Sequence, residues 1–316
     1  MENIKPPLIV ITGPTASGKT AVSISLCKKV GGEVVSADSM QVYRGMDIGT
    51  AKPDIAEQSG ICHHMMDVLD PNEHATASQY GHMAKRVIND IIHRGKKPVV
   101  CGGTGLYIDA LTRPMRFSAP GDEELREELK AIALEPNGRR KLHDMLAQCD
   151  INAANKLHEN DVRRVIRAIE SFRLTGKTQN ELAMEDSLAQ GDYREILFAL
   201  EWPRDILYDR INRRVDCMIE NGLIDEVRSL IGNGLASDST AMQAIGYKEI
   251  VQALAGRCDM SEAVDSIKQA SRNYAKRQLT WLRRDGRVHF ISAQNRSADE
   301  IANEMIGICR KEGILE

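Results

Sequence analysis

Eight consecutive residues, Gly13-Pro14-Thr15-Ala16-Ser17-Gly18-Lys19-Thr20, fill every fixed position of the phosphate-loop pattern G-x-x-x-x-G-K-[ST]. Glycines let the backbone wind its N–H groups around phosphate oxygens, and the helix N-terminus that follows adds a favourable field. Lys19 supplies a point charge and Thr20 could hold a magnesium ion. The pattern demands a group with two or more phosphates, without saying whether that group is a nucleotide. A carboxylate comes next, at Asp38 in the run Ser36-Ala37-Asp38-Ser39-Met40-Gln41-Val42-Tyr43. It could support a bound magnesium ion or serve as general base toward a second substrate. A third glycine turn, Gly102-Gly103-Thr104-Gly105-Leu106-Tyr107, has Cys101 and Gly102 where many nucleotide hydrolases carry a magnesium-binding aspartate. That substitution argues against ATP hydrolysis. Thr104 could hydrogen-bond a phosphate or a base, or merely stabilise the turn.

Each of these segments follows a short apolar stretch, at Leu8–Thr12, Glu33–Ser36 and Lys97–Cys101. Apolar runs without polar alternation, separated by helical periodicity, predict parallel strands covered by helices on both faces. The strand ends then deliver all three segments to one edge, where ligands bind in such sheets. From about Arg116 to Gln190 no strand pattern occurs, and Asp122–Ala133, Gly138–Ala147 and Asp161–Leu174 carry helical periodicity. Strands are predicted again at Glu195–Leu200 and Arg287–Ser292, with helices over Asp205 to about Gly256 and over Ser261–Arg284. The expected fold class is therefore α/β. A P-loop-containing three-layer core with a parallel sheet, residues 1–115 and 200–316, would be interrupted by a mostly α-helical insertion, 116–199.

These segments are similar to those of the tRNA dimethylallyltransferase family, the isopentenyl-diphosphate:tRNA transferases. The resemblance rests on Gly13–Thr20, Asp38–Tyr43 and Asp47-Ile48-Gly49-Thr50-Ala51-Lys52-Pro53, then on His63-His64 to Asp67, Asp70-Pro71 and Gly102–Tyr107. It continues through Arg164, Arg167-Ala168-Ile169-Glu170, Ala244-Ile245-Gly246-Tyr247 and Arg277-Gln278-Leu279-Thr280-Trp281-Leu282-Arg283, so it spans nearly the whole chain in order. The resemblance implies that dimethylallyl diphosphate occupies the phosphate loop (Gly13, Thr15, Ala16, Ser17, Gly18, Lys19 and Thr20). Its five-carbon group would pass to N6 of adenosine 37 in tRNA, with Mg2+ at Thr20 as the cofactor. Asp38, Thr104 and Arg214 are implied as catalytic residues, Asp38 as the base. Contacts to tRNA are implied for Asp38, Ser39, Met40 and Gln41, for Thr104 and Arg126, for Val162, Arg163, Arg164, Val165 and Ile166, and for Gln243, Ala244, Ile245, Gly246, Tyr247 and Lys248. The insertion would close over the anticodon stem-loop. Where the family commonly has Pro-Gln before its arginine, this chain has Val162-Arg163, and Ala75 stands where an aromatic often follows the Asp70-Pro71 motif.

Bulk composition narrows the partners. The 316 residues carry 42 Lys+Arg against 45 Asp+Glu, a net charge of −3, so any RNA must be held by a local patch. One is predicted at residues 268–287, where Lys268, Arg272, Lys276, Arg277, Arg283, Arg284 and Arg287 face the single acid Asp285. A second lies at Arg163, Arg164, Arg167, Arg173 and Lys177. No apolar run approaches the roughly 18 residues of a membrane span, and the segment after Lys5 lacks a signal-peptide plan. A cytoplasmic monomer without membrane contact is expected. The seven cysteines form no CxxC pair, and adjacent His63 and His64 are read as structural, so no zinc is assigned. A small-molecule kinase or ATPase is the rival that the loop alone would favour, and a noncatalytic RNA-binding module would leave the loop and Asp38 unexplained.

Overall fold

Apolar strands without alternation need cover on both faces, and the fold supplies it. A computed structural model describes residues 5–114, 122–188 and 191–316. In chain order the elements are β1 (Pro7–Thr12), α1 (Lys19–Val30), β2 (Gly32–Ser36), α2 (Ile55–Gln58), β3 (His63–His64), α3 (Ala77–His93), β4 (Lys97–Cys101) and α4 (Gly105–Thr112). Five helices follow, α5 (Glu123–Leu134), α6 (Gly138–Cys149), α7 (Ile151–Lys156), α8 (Val162–Thr175) and α9 (Gln179–Leu188). The chain then returns through β5 (Arg194–Glu201), α10 (Arg204–Glu220), α11 (Leu223–Gly232), α12 (Tyr247–Leu254), α13 (Met260–Leu282), β6 (Val288–Ser292) and α14 (Ala298–Lys311).

The chain divides into two compact units, Met1–Thr112 with Asp192–Glu316, and Arg113–Gly191. The first holds a parallel six-stranded sheet in the order β3-β2-β4-β1-β5-β6. Successive residues of β1 serve opposite cores, as the strand pleat requires. Leu8 and Val10 join Val35, Val100 and Leu197 under α3, α4, α11 and α12. Ile9 and Ile11 join Val34, Val99 and Phe198 under α1 and α14. The order sets β2, β4 and β1 side by side, so the three segments singled out by chemistry emerge next to one another.

In the second unit, Leu125, Leu129, Leu142, Leu146, Val165 and Ile169 of α5, α6 and α8 form the core. Glu170 is buried there without being isolated. It accepts hydrogen bonds from the Asp122 N–H (2.9 Å) and Arg167 Nη1 (2.6 Å), and it pairs with Arg126 Nε at 2.9 Å. Two backbone-independent cations and one peptide donor offset the cost of burying that carboxylate.

At the sheet edge opposite the glycine loops, Glu33 of β2 is buried and takes both Nη atoms of Arg94 (2.6 and 2.8 Å) and Nε2 of His64 (2.8 Å). His64 thus has a structural partner, and His63 Nδ1 lies 2.9 Å from the Ile61 carbonyl oxygen. Hydrogen bonding from Arg94, with His64 adding to it, pulls the Glu33 carboxyl down to about 2. A carboxylate depressed by folding adds stability above its unfolded pKa of about 4.3 and loses it as the pH falls toward 2. Arg94 is half exposed, so the contribution is discounted to about 2 kcal/mol. Glu33→Gln should therefore lower stability by about that amount at pH 7 and converge on wild type near pH 2, measured by denaturant unfolding across this range.

Candidate active site

An anion-binding loop must point its N–H groups inward, so its carbonyl oxygens need donors outside. Here they have them. Lys19 Nζ donates to the carbonyl oxygens of Gly13 (3.0 Å) and Pro14 (2.8 Å). Arg210 Nε donates to that of Ala16 (2.9 Å), and Trp202 Nε1 to that of Ser17 (3.0 Å). The Arg210 guanidinium lies 4.3 Å above the Trp202 ring, so the two anchors brace each other. Gly13 and Gly18 have φ of 141° and 92°, and Ala16 adopts φ of 61°, the turn that winds the loop around its centre. Ser17 Oγ is buried with no hydrogen-bond partner among the described residues, so its hydroxyl is available to an anion's oxygen.

The other two loops are stitched to this one by backbone. Gly102 N donates to the Ile11 carbonyl oxygen (3.1 Å), and Ala37 N to that of Cys101 (2.9 Å). Thr104 N donates to the Ala37 carbonyl oxygen (3.2 Å), so close an approach that a Cβ on Gly102 would overlap Ala37. Asp38 follows directly, its Oδ1 accepting from Met40 N at 2.9 Å. Thr104 Oγ1 accepts from Ser39 N at 3.0 Å, which ties Thr104 to the residue beside Asp38.

Arg214 stands one helical turn beyond Arg210 on α10, while Arg213 turns outward to Asp209. The Arg214 Nε is buried without a hydrogen-bond partner among the described residues, and burial lowers the Arg214 pKa although Asp38 opposes the shift. Burial, with Arg214 nearby, also pushes Lys19 down to about 8, against the pull of Cys101 and Asp38. One carboxylate and two cations thus share an electrostatic neighbourhood at the open edge of the sheet. Two half-buried cations with incompletely used donors suit a polyanion. The carboxylate among them suits a proton acceptor.

The run Asp47–Pro53 has a different task. Glu226 of α11 accepts from Asp47 N (2.9 Å) and Ile48 N (2.8 Å) through Oε2, and from Gly49 N (3.2 Å) and Tyr247 Oη (2.6 Å) through Oε1. Lys52 Nζ donates to the Tyr43 carbonyl oxygen (2.9 Å) and to Asp47 Oδ1 (2.6 Å) and Asp67 Oδ1 (2.5 Å). Gln41 Nε2 donates to the carbonyl oxygens of Thr50 and Ala51, and its Oε1 accepts from Ser36 Oγ. The motif is an internal brace for the Asp38 segment.

Residues 41–285 match the IPP transferase family. The chain is 49% identical over 278 residues to a tRNA dimethylallyltransferase of Shouchella clausii, covering 88% of each. The chain belongs to the IPP transferase family. Among solved structures it resembles the tRNA isopentenylpyrophosphate transferase of Bacillus halodurans, with a TM-score of 0.73, 42% identity and 98% of each chain covered. It also resembles a eukaryotic dimethylallyltransferase caught acting on tRNA, with a TM-score of 0.84 and 30% identity, covering 98% of this chain and 79% of that one.

Against this family background, the phosphate loop, Asp38, Thr104 and Arg214 come together in the first unit, whereas the other implied RNA contacts divide by exposure. Val165 and Ile166 are core residues of the second unit, and of their segment Arg163 and Arg164 are the exposed side chains. Arg126 turns to Glu170 and Glu123. Ala244 and Tyr247 are buried, Gly246 makes a φ of 99°, Ile245 is half-buried, and Gln243 faces solvent with Lys248 half-buried beside Glu249. The basic run 268–287 is also less free than its charge suggests. Lys268 pairs with Asp216, Arg283 with Glu201, and Arg287 with Asp285 and Glu195, while Arg272 bonds Asn212. Trp202, Arg210 and Gln278 anchor the loops, and local pattern does not assign them. A Cβ on Gly49 would stand 2.8 Å from Leu223 Cδ1 and closer still to the Tyr247 ring. Gly49→Ala should therefore cost about 2–3 kcal/mol by overpacking, read by denaturant unfolding.

Proposed function

We infer that this IPP transferase acts as a tRNA dimethylallyltransferase, moving the five-carbon group of dimethylallyl diphosphate to N6 of adenosine 37. The observation that carries this reading is the meeting of Asp38 with Lys19 and Arg214 above an anchored phosphate loop. Lys19, Arg214, the inward N–H groups and Ser17 Oγ would hold the diphosphate and stabilise the charge it gains on leaving. The adenine amine is a poor nucleophile because its lone pair is delocalised into the ring. Asp38 would take its proton as the nitrogen–carbon bond forms and the carbon–oxygen bond to diphosphate breaks. Thr104, bonded to Ser39, would keep the Asp38 turn in place.

Thr20 lies in the first turn of α1 and presents a hydroxyl beside the loop, and no cluster of three acidic, histidine or cysteine ligands occurs among the described residues. That donor set fits Mg2+ held by Thr20 together with diphosphate oxygens, where the ion would neutralise leaving-group charge. For tRNA, the side chains of Ser39 and Met40, the exposed Arg163, Arg164 and Gln243, and Lys248 are the contacts we propose, the target base being splayed from its loop to reach Asp38. The helical unit would clasp the anticodon stem. The enzyme would work as a cytoplasmic monomer; no helix among the described residues is long and apolar enough to cross a membrane.

Incubation with Mg2+, labelled dimethylallyl diphosphate and unmodified tRNA should yield prenylated adenosine without ATP consumption; phosphate release from ATP with no transfer would overturn the reading in favour of a kinase. Asp38→Ala should keep both substrates bound within about three-fold while turnover drops roughly 10²–10⁴-fold. Because the free Lys19 titrates near 8 and a bound polyanion favours its charged form, donor binding should take up a proton and weaken as the pH rises above 8. Calorimetry in buffers of different ionisation enthalpy reads that uptake, which Lys19→Met should abolish.

A further inference from the structure

One side chain joins the phosphate loop to the Thr104 loop. Gln278 of α13 is only 8% exposed, its Oε1 accepts from Thr15 N at 2.9 Å, and its Nε2 donates to the Gly103 carbonyl oxygen at 2.9 Å. Only a side chain with a donor and an acceptor on one planar group can make both bonds at once, and a carboxamide is such a group. The fit is close: a Cβ on Gly103 would overlap Gln278 Nε2. The neighbours on the same helical face complete the contact. Trp281 lies where a Cβ on Gly105 would come within 2.7 Å of its ring. Tyr274 interacts with both Thr104 and Gln278. The Thr15 N–H is also taken out of the anion cradle, since it already has its acceptor.

We propose that Gln278 is a positioning residue that sets the separation between the bound diphosphate and the accepting nucleotide. This rests on the transferase reading above, in which the phosphate loop holds the donor and the Asp38–Thr104 side receives the base. Transfer needs the reacting atoms about 3–3.5 Å apart, and a displacement near 1 Å costs roughly 100-fold in rate. The backbones that lead into the two loops are joined along the β1–β4 ladder, which ends where Gly102 N donates to the Ile11 carbonyl oxygen. Gln278 adds a second tie farther out, so the loops cannot pivot about the first. Its effect should therefore fall on turnover and not on the affinity for either substrate.

The test uses two variants of the full chain. Gln278→Met keeps the length and packing of the side chain and removes both bonds. Gln278→Glu keeps the acceptor for Thr15 N but sets a carboxylate against the Gly103 carbonyl oxygen. Both should lower kcat about 100-fold, with the KM for tRNA and the Kd for dimethylallyl diphosphate within about three-fold of wild type. Wild-type kcat in either folded variant would overturn the proposal, as would a loss confined to donor affinity, which would make Gln278 part of the phosphate cradle. Should Gln278→Met not fold, Gln278→Glu decides the matter alone. Failure of the wild-type enzyme to prenylate tRNA would bring down the transferase reading and this inference with it, whereas active wild type with unaffected variants overturns the inference alone.

Discussion

Peptide N–H groups can converge on an anion only if the carbonyl oxygens of the same peptides are satisfied elsewhere. In this chain that requirement reaches far beyond the loop itself. Lys19 serves two carbonyls from within, but those of Ala16 and Ser17 are held by Arg210 and Trp202, which arrive after the whole helical unit has intervened in sequence. Stacking of the Arg210 guanidinium on the Trp202 ring lets one anchor fix the other. Because Arg214 sits one turn further along the same helix, anchoring the loop also aims the second cation.

A second anion cradle in the same unit works by the same physics to a different end. Three successive N–H groups at Asp47, Ile48 and Gly49 converge on Glu226, so the protein supplies its own anion. The Tyr247 hydroxyl donates to the same carboxylate, and burial with the Glu226 charge raises its pKa well beyond the ordinary range. A phenol that stays protonated is the donor a carboxylate needs. The region that flanks Asp38 is consequently rigid through hydrogen bonds that are independent of ligand.

Much of the sheet was legible in the residues themselves. Leu8–Val10 and Val99–Val100 read as strands because an apolar run of that length has few other homes, and the phosphate loop is a wholly local signal. β3 is two histidines long and leaves no periodicity to detect. Trp202, Arg210 and Gln278 are common residue types whose roles exist only once distant elements meet. Gln278 could be quoted from a motif, yet its two bonds span 263 and 175 positions. Charge was the least legible property. Lys268 and Arg287 counted toward a basic patch in one dimension, but in three each already has its acid.

The helix behind the phosphate loop has a partner that is made late. Val22 and Leu26 of α1 pack in one core with Ile301, Ala302 and Met305 of α14, and Ser25 bonds Asp299 across 274 positions. At ordinary elongation rates the ribosome needs roughly 14–55 s to cover that distance. Throughout that interval the apolar face of α1 has no α14 to cover it, so the nascent chain carries an unshielded surface of the kind chaperones recognise.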